Sequence, residues 1–158
     1  VTAATEHFTA ILAEYLLARE APLAGAEPRL ATLWHWHASE ESEHRCTAFD
    51  LYRALGGSEL WRLRLFRLVT LHFITDVLRQ TLHNLWRDGS WRRASTWRGA
   101  VRFLFGTNGL WTQMRGPWRD YLRHDFHPAQ RENAPALQWL GAHTADYTRG
   151  RPAAGATA

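Results

Sequence analysis

Apolar residues in this chain recur every three to four positions and nowhere alternate with polar ones for more than a few residues, which leaves the helix as its regular element. Residues 2–20 carry Phe8, Ile11, Leu12, Tyr15 and Leu16 at helical spacing, and Pro22 with Gly25 ends the run. Pro28, with its fixed backbone angle, suits the first turn of a second helix, which the pair Gly56 and Gly57 should stop. Ser58 is a good N-cap for a long third helix through Leu60, Leu65, Leu68, Leu71, Val77, Leu78, Leu82 and Leu85 to Asp88 and Gly89. A shorter helix is expected after Ser90 through Val101 and Phe105. Asn108 should cap the next, carrying Leu110, Trp111, Met114, Trp118, Tyr121 and Leu122, with Gly116 and Pro117 as a point of breakage or kinking. Phe126, His127 and Pro128 read as a turn, and Pro135 as the opening of a last helix with Leu137, Leu140 and Tyr147. The expected fold class is all-α, with one helical domain over residues 1–149. Residues 150–158 lack large apolar side chains and should form a disordered tail.

The chain has 158 residues, 46% of them hydrophobic, enough for one domain with a real core and short for two. Its 19 basic residues are all Arg, scattered among Trp and Leu along the helices. That distribution favours solvated helix faces over a nucleic-acid footprint, so no nucleic-acid partner is expected. Arg62, Arg64, Arg67, Asp76 and Arg79 keep the third helix from reaching the ~20 apolar residues of a membrane span. Trp61, Phe66 and Phe73 near Arg62, Arg64 and Arg67 do suit a helix lying on a membrane surface, so residues 58–88 are a candidate for peripheral contact. Ordinary packing with snorkelling arginines is the competing reading. The single cysteine, Cys46, allows no intrachain disulfide and no Cys-based zinc site, and fits a cytoplasmic protein. Val1 to Thr5 run straight into a helical pattern without signal-peptide features. This start implies a fragment of a longer helical unit, with uncovered apolar surface that would favour homo-oligomers.

The strongest chemical signal lies in the second helix, where a stripe stepping by four and three residues reads Leu30, Trp34, His37, Glu41, His44, Ala48, Leu51, Leu55. Such steps share one helix face. Apolar outer members mark it as the face expected to be buried, with three ionisable groups in the middle. A buried carboxylate must be protonated, paired or bound to metal. Glu41 and His44 form a Glu-x-x-His pair, the spacing by which a bundle helix offers an oxygen and a nitrogen to one ion. His37 lies one turn earlier and Glu40 beside the stripe. Carboxylate with imidazole suits iron, manganese or zinc. Glu6, on the stripe Ala3, Glu6, Ala10, Ala13, Leu17 of the first helix, is the natural partner, because small residues there admit another helix closely. One inward Glu plus one Glu-x-x-His is half the ligand set of a di-metal carboxylate bundle. The bland alternative is a solvated acidic face of Glu40, Glu41 and Glu43 paired with arginines.

Three stretches taken together resemble a known family: T-E-H-F-T-A at 5–10, W-H-W-H-A-S-E-E-S-E-H-R at 34–45 followed by A-F-D-L-Y at 48–52, and F-H-P at 126–128. They resemble the bacterial predicted metal-dependent hydrolases, whose members look like ferritin-type helical proteins. The resemblance runs from about Thr5 to Trp139. It implies a ferritin-like helical bundle, here without its N-terminal helices, since family members carry an upstream Glu and a further Glu-x-x-His. It implies Glu6, Glu41 and His44 as metal ligands, His37, Glu40 and His127 as neighbours, and Asp50 as a residue that orients a ligand or a helix. The cofactor implied is a divalent metal ion, one or two per site, acting on an unidentified small molecule. A hydrolase follows from the family, a di-iron oxidoreductase from the analogy with ferritin-like iron proteins. A non-enzymatic helical module holding an apolar ligand or membrane surface is the third reading.

Overall fold

The computed structural model of the protein describes residues 1–18, 21–131 and 134–144, and every regular element among them is helical. Seven α-helices follow in order: α1 Thr2–Leu17, α2 Pro28–His44, α3 Thr47–Ala54, α4 Glu59–Arg87, α5 Ala94–Phe105, α6 Leu110–Asp120 and α7 Ala134–Ala142. Short 3-10 turns occupy Ala21–Leu23, Ser90–Arg92 and Pro128–Gln130. Tyr147 and the tail at 150–158 lie outside the described residues.

Most boundaries follow local chemistry. The Ser58 side chain accepts the Trp61 N–H at 3.3 Å and starts α4. Gly89 supplies the left-handed φ of 74° that lets the chain leave α4. Gly109 rather than Asn108 is the N-cap of α6, and that helix continues through Pro117 to Asp120 without the expected break. The second helix differs more. The expected single run from Pro28 to Gly56 is two helices, interrupted at Arg45 and Cys46, which keep right-handed helical angles and so bend the axis instead of reversing it. After the bend Phe49 turns into the core, 3% exposed, while Leu51 and Leu55 face out at 59% and 79%.

Helix α1 is the hub, packing against α2, α3, α4, α6 and α7. Its Ala4, Phe8 and Ile11 meet Phe49 of α3, Phe66 of α4, Met114 of α6, and Tyr121 and Phe126 just beyond α6 in one core cluster. The rings stack or meet edge to face, with Phe66 lying 4.2 Å from Tyr121 and 5.3 Å from Phe8 between centroids. Such ring pairs add to plain area burial.

Arg62 of α4 corrects the surface-helix expectation. Its guanidinium is almost fully buried, donating through Nε to Glu59 at 2.9 Å and through Nη2 to the Arg123 carbonyl at 2.7 Å. It also bonds Glu59 and the Tyr121 carbonyl through its two Nη atoms and lies over the Tyr121 ring. Phe66, one turn on, is completely buried. Two of the side chains credited to a membrane-facing mixture therefore pin α4 onto the end of α6. The large apolar residues that stay exposed on α4 are Leu60, Trp61, Leu68, Leu71, Phe73, Ile74, Val77, Leu78, Leu82 and Trp86. Among the described residues no helix is long and apolar enough to cross a membrane.

Arg62→Met should leave the Tyr121 and Arg123 carbonyls without their buried donor, while Glu59 keeps Arg53 at 3.6 Å, and destabilise the fold by about 3 kcal/mol, since a buried polar group left unsatisfied costs about 1–3 kcal/mol. Urea titration checks this against Arg67→Met on the exposed side of α4, which should change stability by less than about 0.5 kcal/mol.

Candidate metal centre

The site begins with a close helix pair. Ala10 and Ala13 of α1 are buried, as are Ala38, Ser39 and Ser42 of α2. The two serines return their hydroxyls to their own helix, to the His35 carbonyl at 2.9 Å and the Ala38 carbonyl at 3.0 Å, so they leave no unpaired donor in the seam. Glu6, near the start of α1, stands beside Glu41 and His44 near the end of α2, while Leu16 and Trp34 share a wall at the other end. The helices thus run antiparallel, as the short connection between them requires.

The buried face of α2 is not the expected stripe. Leu30 and Trp34 are about half exposed, and so is the His37 side chain; His44 is exposed. The helix is rotated by about one residue, because Ala38, Ser39 and Ser42 allow closer backbone approach than the large residues flanking His37 and Glu41. The ionisable groups line the rim of the seam, with Glu41 nearest to it, its side chain 24% exposed. Glu40 is partly buried and Glu43 exposed. The signal that could have shown this is the phase match of Ala38, Ser39 and Ser42 with Ala10 and Ala13.

At the rim, Glu6 Oε2 is buried and lacks any hydrogen-bond partner. Burial pushes the Glu6 carboxyl above its ordinary range, the Glu41 carboxylate pushes it further, and His44 partly offsets both. Glu41 Oε1 faces His37 Nε2 at 3.7 Å, one helical turn away. Glu6, Glu41 and His44 are therefore neighbours in one electrostatic unit. Their side chains do not close around a point: among the described residues no three His, Cys, Asp or Glu groups converge tightly enough to hold an ion.

Asp50 and His127 form a separate pair. His127 Nε2 donates to Asp50 Oδ1 at 2.7 Å, and Nδ1 accepts the Ala129 N–H at 3.1 Å, which fixes the tautomer. Both ring nitrogens are engaged, and the ring meets Phe49 edge to face at 5.2 Å, so the pair ties α3 to the turn at Pro128–Gln130. His7, next to Glu6 in sequence, points the other way into the core, where Nε2 donates to the Pro117 carbonyl at 3.0 Å. Burial pushes its imidazole down to about 4, the hydrogen bond opposing this and the charges of Arg131 and Arg62 adding to it. Sequence reasoning also missed Arg131, which holds Glu14 of α1 through Nε at 2.8 Å and Asp120 of α6 through Nη1 at 3.2 Å.

These features define an all-helical protein with two carboxylates and an imidazole gathered at one helix seam. The family described as predicted metal-dependent hydrolase matches residues 1–132, and the chain belongs to it. Membership implies a divalent metal ion. No curated protein and no solved structure matches the chain significantly.

His7 gives the fold a pH dependence of known sign. Its folded value near 4 lies below the ordinary 6.5, so as pH falls between those values the unfolded chain takes up a proton that the native state refuses. Stability should fall by about 3 kcal/mol across that window. Denaturant titrations at pH 7.5 and pH 4.5 should show a smaller drop in His7→Gln, whose amide can still donate to the Pro117 carbonyl.

Proposed function

We propose that the protein is a metal-dependent hydrolase in which Glu6, Glu41 and His44 hold a divalent cation at the α1–α2 seam. The single observation that carries this reading is Glu6, a carboxylate with a buried, unpaired oxygen set beside a second carboxylate. A buried group of that kind calls for a countercharge, and the family name says of what kind. The donor set fits: carboxylate oxygens and an imidazole without thiolate suit manganese, iron or zinc. The set is short of a full shell, and His44, exposed at the last residue of α2, has room to turn toward the two carboxylates. Positions left open belong to water, to substrate or to a second cation. One Glu from α1 and a Glu-x-x-His from α2 are the half-set found in ferritin-like carboxylate bundles, and we read the fold in that sense.

When bound, such a cation polarises a substrate oxygen and lowers the pKa of coordinated water. The chain's own groups prepare the place. His37 stands one helical turn from Glu41, its Nε2 at 3.7 Å from Glu41 Oε1 at the rim. Glu40, partly buried, is a further carboxylate on the same turn of α2. The apolar side chains of Leu12, Leu16 and Trp34 line the concavity beside Glu41.

Manganese, ferrous iron or zinc should raise the melting temperature, on the order of 5 to 10 °C when free metal is about 100 times Kd. The response should vanish in Glu41→Ala, shrink in His44→Ala and persist in Glu43→Ala. In chelator-treated protein the raised Glu6 value means that stability is lost as pH rises through it. Glu6→Gln should therefore melt no lower than the parent at neutral pH while losing the metal response. Scanning calorimetry with elemental analysis reads both, and equal metal responses in all variants would refute the site.

A further inference from the structure

Beside the carboxylates lies a cavity of about 360 Å³, walled by α1, α2, the turn at Ala21–Leu23, and single residues of α5 and α6. Leu12, Ala13 and Leu16 form one side, Trp34 and Ala38 the other, and Phe103 and Leu110 close the far part. The lining is strongly apolar; its polar side chains are Glu41 and His37, which face each other, together with Thr9 and Tyr15. Five segments contribute to its walls, of which Trp34 and Phe103 are about half exposed, so it is a concavity open on one side. Its volume lies within the roughly 300–1,000 Å³ typical of small-molecule sites, which combine apolar walls with a few placed polar groups.

Glu41 belongs to both features. It lines the cavity, and its charge acts on Glu6 across the seam. A molecule filling the cavity would thus present one end to the candidate metal residues and leave the rest against Leu, Ala, Trp and Phe. We infer that the substrate is a medium-chain alkyl compound whose chain occupies this cavity and whose uncharged polar end lies at Glu41 and His37. The chain length follows from the volume and the apolar walls. The uncharged end follows from Glu41 and His37 facing each other at 3.7 Å, which leaves neither of them free to take a charged head. This inference rests on the metal-dependent reading for calling the ligand a substrate, while the binding itself needs no metal.

The test is calorimetric titration of the chelator-treated full chain with 1-alkanols from butanol to decanol, which have an uncharged end and no hydrolysable bond. Affinity should rise about fourfold for each added methylene until the cavity is full and then level off. Octanoate should bind at least tenfold more weakly than 1-octanol. Leu16→Trp, which fills the cavity far from Glu6, should weaken 1-octanol at least tenfold, and Phe103→Ala, which strips an exposed wall residue, should weaken it severalfold. Trp86→Ala, on the exposed face of α4, should leave binding unchanged and so separates cavity binding from adhesion to exposed apolar surface. No chain-length dependence, equal binding in Leu16→Trp and Phe103→Ala, or octanoate binding as tightly as octanol would overturn the inference. Failure of the metal reading appears elsewhere, as absent metal and an unchanged melting temperature, and would not alter these titrations.

Discussion

The close approach of α1 to α2 governs the rest of the arrangement. It depends on side chains that occupy almost no space: Ala10 and Ala13 on one helix, Ala38, Ser39 and Ser42 on the other, all buried. Helices separated by alanine and serine come nearer than helices separated by leucine, and the serines stay harmless because their hydroxyls bond carbonyls of their own helix. With the seam this tight, longer side chains at its border are pushed to the rim. Glu6 and Glu41 arrive there from opposite helices, near enough for the Glu41 charge to act on the Glu6 carboxyl. The same seam, where α5 and α6 fall away from it, leaves the cavity that Glu41 borders.

The core holds this seam by its other side. The face of α1 opposite the rim carries His7, Phe8 and Ile11 into an aromatic cluster drawn from α3, α4 and the end of α6. Two buried or half-buried arginines fasten the periphery of that cluster, Arg62 to Glu59 and the turn after α6, Arg131 to Glu14 and Asp120. Each joins a guanidinium to groups distant in sequence, and in each the donors are spread over several acceptors, which is how a charged group survives burial. Neighbouring residues Glu6 and His7 thus serve opposite ends of one helix turn. The first carries an unpaired charge toward the rim, and the second is held neutral in the core.

Much of this arrangement is legible in the amino-acid sequence. Helical spacing locates the helices, Ser58 and Gly89 mark the limits of α4, and the small-residue stripe of α1 announces a close neighbour. Glu6, Glu41 and His44 follow from spacing and family likeness, and they share one neighbourhood. The rotation of α2 is not legible, because periodicity alone weighs Leu30 and Trp34 as burial signals, whereas the seam selects the residues with the least volume. The interruption at Arg45 and Cys46 is hidden for a related reason: neither residue type breaks a helix, so no local signal marks the point after which Phe49 enters the core. Family likeness makes Asp50 and His127 companions of the metal residues, yet in the fold they bond each other, with both imidazole nitrogens in use.

Local sequence therefore determined which segments are helical, where most of them start and stop, and which residue types can supply metal chemistry. These properties depend on backbone preferences and on donor atoms that a residue carries wherever it is placed. Tertiary structure decided which face of α2 is buried, that Arg62 and Phe66 belong to the core and not to a surface, and that Glu41 stands between a carboxylate partner and an apolar cavity. Those outcomes depend on competition among faces for one limited interior, settled by volume and by hydrogen bonds to residues as far away as Tyr121 and Arg123. No short-range pattern encodes that competition, because each helix alone offers several faces of comparable apolarity and only the neighbours it meets decide among them.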